Sequence, residues 1–279
     1  MTDPRLPNFL IIGAGKCGTT SLWSYLNQHP QIGMSAIKEP SFFSQDDVFR
    51  RGLDWYRKLY TGKEGRRVRG EASNSYSATE SYPQTIERIA ATLGHPKLIY
   101  ITRHPAARTE SDWMQRSNFT VVPFAEFIRN DPLHADKNMY LRCYERYAAR
   151  FGAENILVLF YEDLRKDPST VLSKICTFLG VDEHFAFDTD TRHGQSARGR
   201  KFMYGLGKLR ELELYMDLSL MLPDSVKSRL REALSTTQEI SRPVWSTEDQ
   251  AYFRARYEAS SRAFLERVGR APNLWAWEG

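Results

Sequence analysis

Short apolar runs alternate with helical repeats along this chain. Residues 9–13, 98–102 and 156–161 are β-branched or aromatic runs bounded by polar or turn residues, and each predicts a strand. Their near-continuous apolarity predicts burial on both faces, as in a parallel sheet covered by helices. Helical spacing fills the intervals. Residues 19–27 carry Leu22 and Leu26 one turn apart, and residues 84–93 carry Ile86, Ile89, Ala90 and Leu93. Residues 141–151 repeat Leu141, Tyr144, Tyr147, Ala148 and Phe151, and residues 169–179 repeat Leu172, Ile175, Cys176 and Leu179, with Gly180 as a stop. Near the end, Thr247 and Gln250 predict a capping box for a helix repeating Phe253, Tyr257, Phe264 and Val268. Strand–helix alternation predicts an α/β fold with a mostly parallel sheet, whose ligands sit beyond the carboxyl ends of the strands.

Composition changes this picture little. With 41% hydrophobic and 26% charged residues in 279, the chain has enough apolar material for an ordinary core. It shows no repeat and no Gly/Ser-rich linker, which predicts a single domain over residues 1–279. No run approaches the length of a membrane span, and "MTDPRLPN" lacks the basic and apolar regions of a secretory leader. Cys17, Cys143 and Cys176 are odd in number and widely spaced, which predicts reduced cytoplasmic thiols and no metal site. A net charge of +5 and a pI of about 9.0 suit an anionic partner, while the lack of a poly-basic tract, RNP motif or zinc finger argues against nucleic acid.

The candidate chemistry begins at "GAGKCGTT", after the first predicted strand. Gly13, Gly15 and Gly18 allow a tight anion-cradling turn, and the following helix offers free N–H groups and a positive dipole end. Lys16 adds a point charge, and Thr19 and Thr20 add hydroxyl donors. The order differs from a Walker loop, where the lysine directly precedes the hydroxyl residue. A second anion site is predicted at Arg103, delivered by a strand end, with Ser111 on the helix beyond Pro105. A third stretch, "HGQSARGRKF", is Gly-containing and strongly basic.

The spelling "K-x-G-T-T-x-L" followed by "L-x-x-H-P" resembles the 5′-phosphosulfate loop of sulfotransferases, which use 3′-phosphoadenosine 5′-phosphosulfate (PAPS) as donor and release PAP. The match extends through "GLDWYRKLY", "GEASNSYS" and "VLFYEDLRKDPSTVLSKICTFLGV", covering about residues 9–202, with a weaker helical portion over about 203–279. The style is that of heparan sulfate and bacterial carbohydrate-type enzymes. The resemblance implies a P-loop-like three-layer fold with a central mostly parallel sheet flanked by helices. It implies donor binding by Lys16, Cys17, Gly18, Thr19 and Thr20, and 3′-phosphate binding by Arg103 and Ser111. Arg198, Gly199, Arg200 and Lys201 would close over that phosphate, with Arg198 and Phe202 standing where the family has lysine and tyrosine. The cysteine pair of secreted members is missing, which suits a bacterial cytoplasmic protein.

By the same resemblance, catalysis is a metal-independent in-line displacement. Lys16 neutralises the leaving oxygen, Glu71 in "E-x-S-x-x-Y" is the base, and Lys38 and Glu39 stand at the acceptor mouth. His29 and His104 are weighed as other bases. The acceptor is read as a carbohydrate or small metabolite, sulfated on a hydroxyl or less readily an amine, with Trp55, Tyr56, Tyr76, Trp113, Phe119 and Phe124 in the loops expected around it. A P-loop nucleotide kinase and a non-catalytic nucleotide- or polyanion-binding module are the competing readings.

Overall fold

A computed structural model describes residues 3–117, 122–190 and 241–277, together with the backbone of two short strands at 199–202 and 235–238. Five parallel strands form the central sheet: β1 (Phe9–Gly13), β2 (Ile32–Met34), β3 (Val68–Ala72), β4 (Lys97–Thr102) and β5 (Ile156–Phe160), in the spatial order β2-β3-β1-β4-β5. β1 is central, pairing Phe9 with both Gly70 and Lys97. All five residues of β1 are buried, as its unbroken apolar run predicts. β2 has only three residues, too few for a periodic signal, and escaped the sequence reading.

Helices separate the strands. They are α1 (Thr19–Leu26), α2 (Asp46–Phe49), α3 (Gly52–Lys58), α4 (Thr85–Leu93), α5 (Pro105–Arg116), α6 (Phe124–Asn130), α7 (Pro132–Lys137), α8 (Tyr140–Phe151), α9 (Tyr161–Lys166), α10 (Pro168–Leu179) and α11 (Thr247–Arg267). Their starts have local causes. His104 accepts from Ala106 N ahead of Pro105, Asp131 accepts from His134 N ahead of Pro132, and Asp167 accepts from Thr170 N ahead of Pro168. Gly180 ends α10 in the left-handed conformation, as predicted. Tyr161 opens α9 and does not close β5. The expected cap at Thr247 lies one residue earlier, because Ser246 Oγ accepts from Asp249 N at 3.0 Å.

One apolar cluster runs from Phe9 to Trp275, so the carboxyl-terminal segment completes the core built on the sheet. A smaller cluster of Phe124, Phe127, Ile128, Phe253, Tyr257 and Trp277 ties α6 to α11. Together these pin α5, which leads away from the end of β4 and forms one wall of the site.

Candidate active site

The loop after β1 is built by left-handed backbone. Gly13 (φ 137°) and Gly18 (φ 95°) both adopt it, and a Cβ on Gly13 would lie 2.6 Å from Ser77 Oγ. Gly15 has no such need; the third left-handed residue is Lys16 itself (φ 69°). Gly18 is the N-cap of α1, and no side chain caps that helix end. The end of α1 is therefore dressed for an anion by its own N–H groups and dipole.

Every strand of the sheet sends a residue to one cleft of about 310 Å³ at its carboxyl edge. β1 supplies Lys16, Thr19 and Thr20, β2 leads to Glu39, and β3 leads to Asn74. β4 leads to Arg103 and to α5, and β5 leads to Tyr161. Lys16 Nζ donates to Gln115 Oε1 at 2.7 Å, and burial lowers its pKa against the opposing pull of Asp112 and Glu39. Arg103 lies 4.6 Å over the Tyr161 ring and reaches Lys16 O at 3.4 Å. Ser111, two turns along α5, is buried and lines the same cleft.

Arg108 belongs to the cleft lining and is fully buried there. It donates to Asn138 Oδ1 at 2.7 Å, to Asp112 Oδ2 at 3.2 Å and to His134 Nδ1 at 2.8 Å. Burial opposes ionisation of Asp112, yet the hydrogen-bonding neighbour His134 first, and then the cations Arg108, Lys137 and Arg116, hold its carboxyl well below the usual range. Burial lowers the His134 pKa to about 4, so its ring accepts from Arg108 as a neutral imidazole.

A family model of the sulfotransferase domain matches residues 6–193. The chain belongs to the sulfotransferase family. Human heparan sulfate glucosamine 3-O-sulfotransferase 5 is 30% identical over 192 residues, which cover 63% of this chain and 54% of the human protein. Mouse bifunctional heparan sulfate N-deacetylase/N-sulfotransferase 1 is 29% identical over 283 residues, covering 89% of this chain and 32% of its own. The chain spans about half the length of the first of these relatives and a third of the second. Among solved structures, the sulfotransferase from Alicyclobacillus acidocaldarius superposes with a TM-score of 0.64 at 26% identity, covering 95% of this chain and 96% of that one.

In this sulfotransferase the residues expected at the donor site converge only in part. Lys16, Gly18, Thr19, Thr20, Arg103 and Ser111 all line the cleft. Cys17 does not: its thiol is buried beneath the loop, 3.6 Å from Gly15 O, with a pKa pushed up to about 12 by burial. Only its backbone is left for an anion. Arg198 and Phe119 lie outside the described residues, and Gly199, Arg200 and Lys201 form β6 (Gly199–Phe202), paired antiparallel with β7 (Ser235–Gln238).

The two glutamates have different surroundings. Glu71 lies inside β3, fully buried and absent from the cleft wall. Tyr56 and Tyr76 each donate to its Oε1 at 2.7 Å, and Ser73 donates to its Oε2 at 2.5 Å. Burial raises its pKa, though those three hydrogen bonds work the other way. Glu39 does line the cleft; it pairs with Lys38 and accepts from Asn74 Nδ2 at 2.6 Å. Glu39 (φ 59°) and nearby Ser41 (φ 54°) both hold left-handed backbone, which persists only where surroundings over-determine it and which clusters at functional sites.

His29 and His104 are each engaged through both ring nitrogens by backbone atoms. His29 accepts from Gln31 N and reaches Asp182 O at 3.0 Å, while His104 caps α5 and reaches Ala276 O at 2.7 Å. Of the aromatics expected near an acceptor, Trp55, Tyr56, Tyr76 and Phe124 are buried in the core. Trp113 instead lines a second cleft of about 440 Å³ with Val122, Phe127 and Pro132, and Arg116 borders both clefts. Sequence reasoning missed Asn74, Arg108, Asp112, Gln115, Arg116 and Lys137 as lining residues. Four of these stand on α5, where Arg108, Ser111, Asp112 and Gln115 follow the i, i+3, i+4, i+7 spacing of one helix face; that spacing was the available signal.

Proposed function

We propose that this chain transfers a sulfuryl group from PAPS to a hydroxyl, less readily an amine, of a carbohydrate or small-metabolite acceptor. The observation that carries the reading is a single cleft lined by Lys16, Arg103 and Ser111 on one side and by the carboxylate of Glu39 on another. The cations and the α1 N-terminus suit the two phosphate groups of the donor. Lys16 is placed to neutralise charge as the bond from sulfur to the 5′-phosphate oxygen breaks. The acceptor oxygen forms the new bond to sulfur, and its proton passes to Glu39. The balance is acceptor hydroxyl plus PAPS giving sulfate ester, PAP and one proton.

Glu39 takes the base role in this reading in place of Glu71. A general base must reach the proton it removes, within about 3 Å or through one water. Glu71 is sealed in the core with its oxygens engaged by three hydroxyls. The second cleft, joined to the first through Arg116, is the natural place for the remainder of an acceptor with a sugar or aromatic face. Two relatives carry heparan sulfate in their names, which supports a carbohydrate acceptor here. Three buried free thiols suit a reducing compartment. Thermal scanning with PAP and with ATP plus magnesium tests the donor. A rise with PAP alone supports the reading, and a rise with ATP alone overturns it in favour of a kinase.

A further inference from the structure

β3 runs into a 3-10 turn, Asn74–Ser77, whose first residue stands between loops that belong to two other strands. Thr19 Oγ1 donates to Asn74 Oδ1 at 2.9 Å, and Asn74 Nδ2 donates to Glu39 Oε1 at 2.6 Å. One primary amide thus joins a hydroxyl of the phosphate loop to the carboxylate on the opposite wall. The amide also lies against the loop itself, since a Cβ on Gly15 would sit 3.6 Å from Asn74 Cβ. Only a side chain with both an acceptor and a donor completes this chain of bonds. Aspartate could accept from Thr19 but, ionised, has nothing to donate to Glu39; leucine could do neither.

We propose that Asn74 is a positioning residue that couples the donor loop to Glu39, an inference that rests on Glu39 being the base. Its amide, together with Lys38 Nζ, holds Glu39 Oε1 and so fixes the orientation of the carboxylate above its left-handed backbone. The Thr19 hydroxyl has one hydrogen. A phosphate oxygen that takes that hydrogen competes with Asn74 for it, so donor occupancy and base orientation are linked through a single bond.

The test is a double-mutant cycle on the full chain, using sulfur-labelled PAPS, heparan sulfate as probe acceptor, and PAP release to water in its absence. Asn74→Leu is expected to lower kcat about 10- to 100-fold while PAP affinity by calorimetry stays within about 3-fold, a split that an unspecific structural loss does not produce. In a Glu39→Gln background the same substitution is expected to cost less than about 2-fold, because the group it acts through is already gone. Asn74→Asp, which keeps the shape, should show the same kcat loss and guards against misfolding of the leucine variant. Unchanged kcat in both variants overturns the proposal, as does a full multiplicative loss in the Glu39→Gln background. Wild-type turnover of Glu39→Gln alone removes the base reading and the coupling with it; an inactive Glu39→Gln with independent Asn74 losses removes the coupling only.

Discussion

At the residue scale, two glutamates of the same chemistry have opposite surroundings, Glu39 on the cleft and Glu71 sealed in the core. Glu39→Gln is expected to reduce sulfuryl transfer by about 10²- to 10⁴-fold with an unchanged melting temperature, the usual effect of removing a general base. Glu71→Gln, an isostere that still accepts from both tyrosines, should lower turnover less than about 10-fold; parallel assays of the two variants decide between them. Stability gives Glu71 its own signature. Its folded pKa is raised, so the folded state holds the proton more tightly than the unfolded chain does. Its contribution is complete below the unfolded value and is lost as pH rises through the folded one. Denaturation of the wild type should therefore show a downward slope above the ordinary carboxylate range that Glu71→Gln flattens. Lys16→Ala should cost about 10²- to 10³-fold in turnover through loss of charge stabilisation, with no loss of melting temperature, because Lys16 is a partly desolvated cation.

At the element scale, α5 and α7 are joined by a buried cation on a neutral histidine. The His134 pKa falls to about 4 from 6.5, so unfolding takes up a proton between those values. Stability from this group is present above pH 6.5 and is lost as pH falls to about 4. The loss amounts to about 3 kcal/mol at about 1.4 kcal/mol per unit. Urea denaturation at pH 7 and pH 4.5 measures it, and His134→Gln should abolish that part of the difference. The cap of α11 supplies a second check. Ser246→Ala removes the acceptor for Asp249 N and should cost about 1 kcal/mol, a melting shift of about 2–4 °C.

At the scale of the whole molecule, the cleft exists because five parallel strands end on one edge and the carboxyl-terminal segment braces the helix above them. Trp275 is buried against Phe264 and Phe160. Trp275→Ala should cost about 3–5 kcal/mol, read by denaturant midpoint, and should loosen α11 from the core. A ligand that binds only the folded chain stabilises it by mass action. PAP at about 100 times its dissociation constant should add about 2.7 kcal/mol, or roughly 5–10 °C in a thermal scan.

The parallel α/β architecture and the placing of Lys16, Thr19, Arg103 and Ser111 on one cleft were legible in the chain, because apolar runs, helical spacing and loop spelling are local signals. Local spelling also marked Glu39 and Glu71 as notable. It ranked Glu71 as the base and Glu39 at the acceptor mouth, whereas the folded chain puts Glu39 on the cleft and Glu71 against Tyr56 and Tyr76. Those tyrosines come from α3 and from the turn after β3, brought together only by packing. The α5 face was half-legible: its spacing is periodic, but the direction it faces is set by β4 behind it and α11 across it. Asn74 had no legible role at all. Its amide matters through Thr19 and Glu39, 55 and 35 residues away in the chain. The sequence determined which groups could hold an anion, because that follows from side-chain chemistry and backbone freedom; burial and cross-strand proximity, which belong only to the folded chain, decided that Glu39 lines the cleft beside them and Glu71 does not.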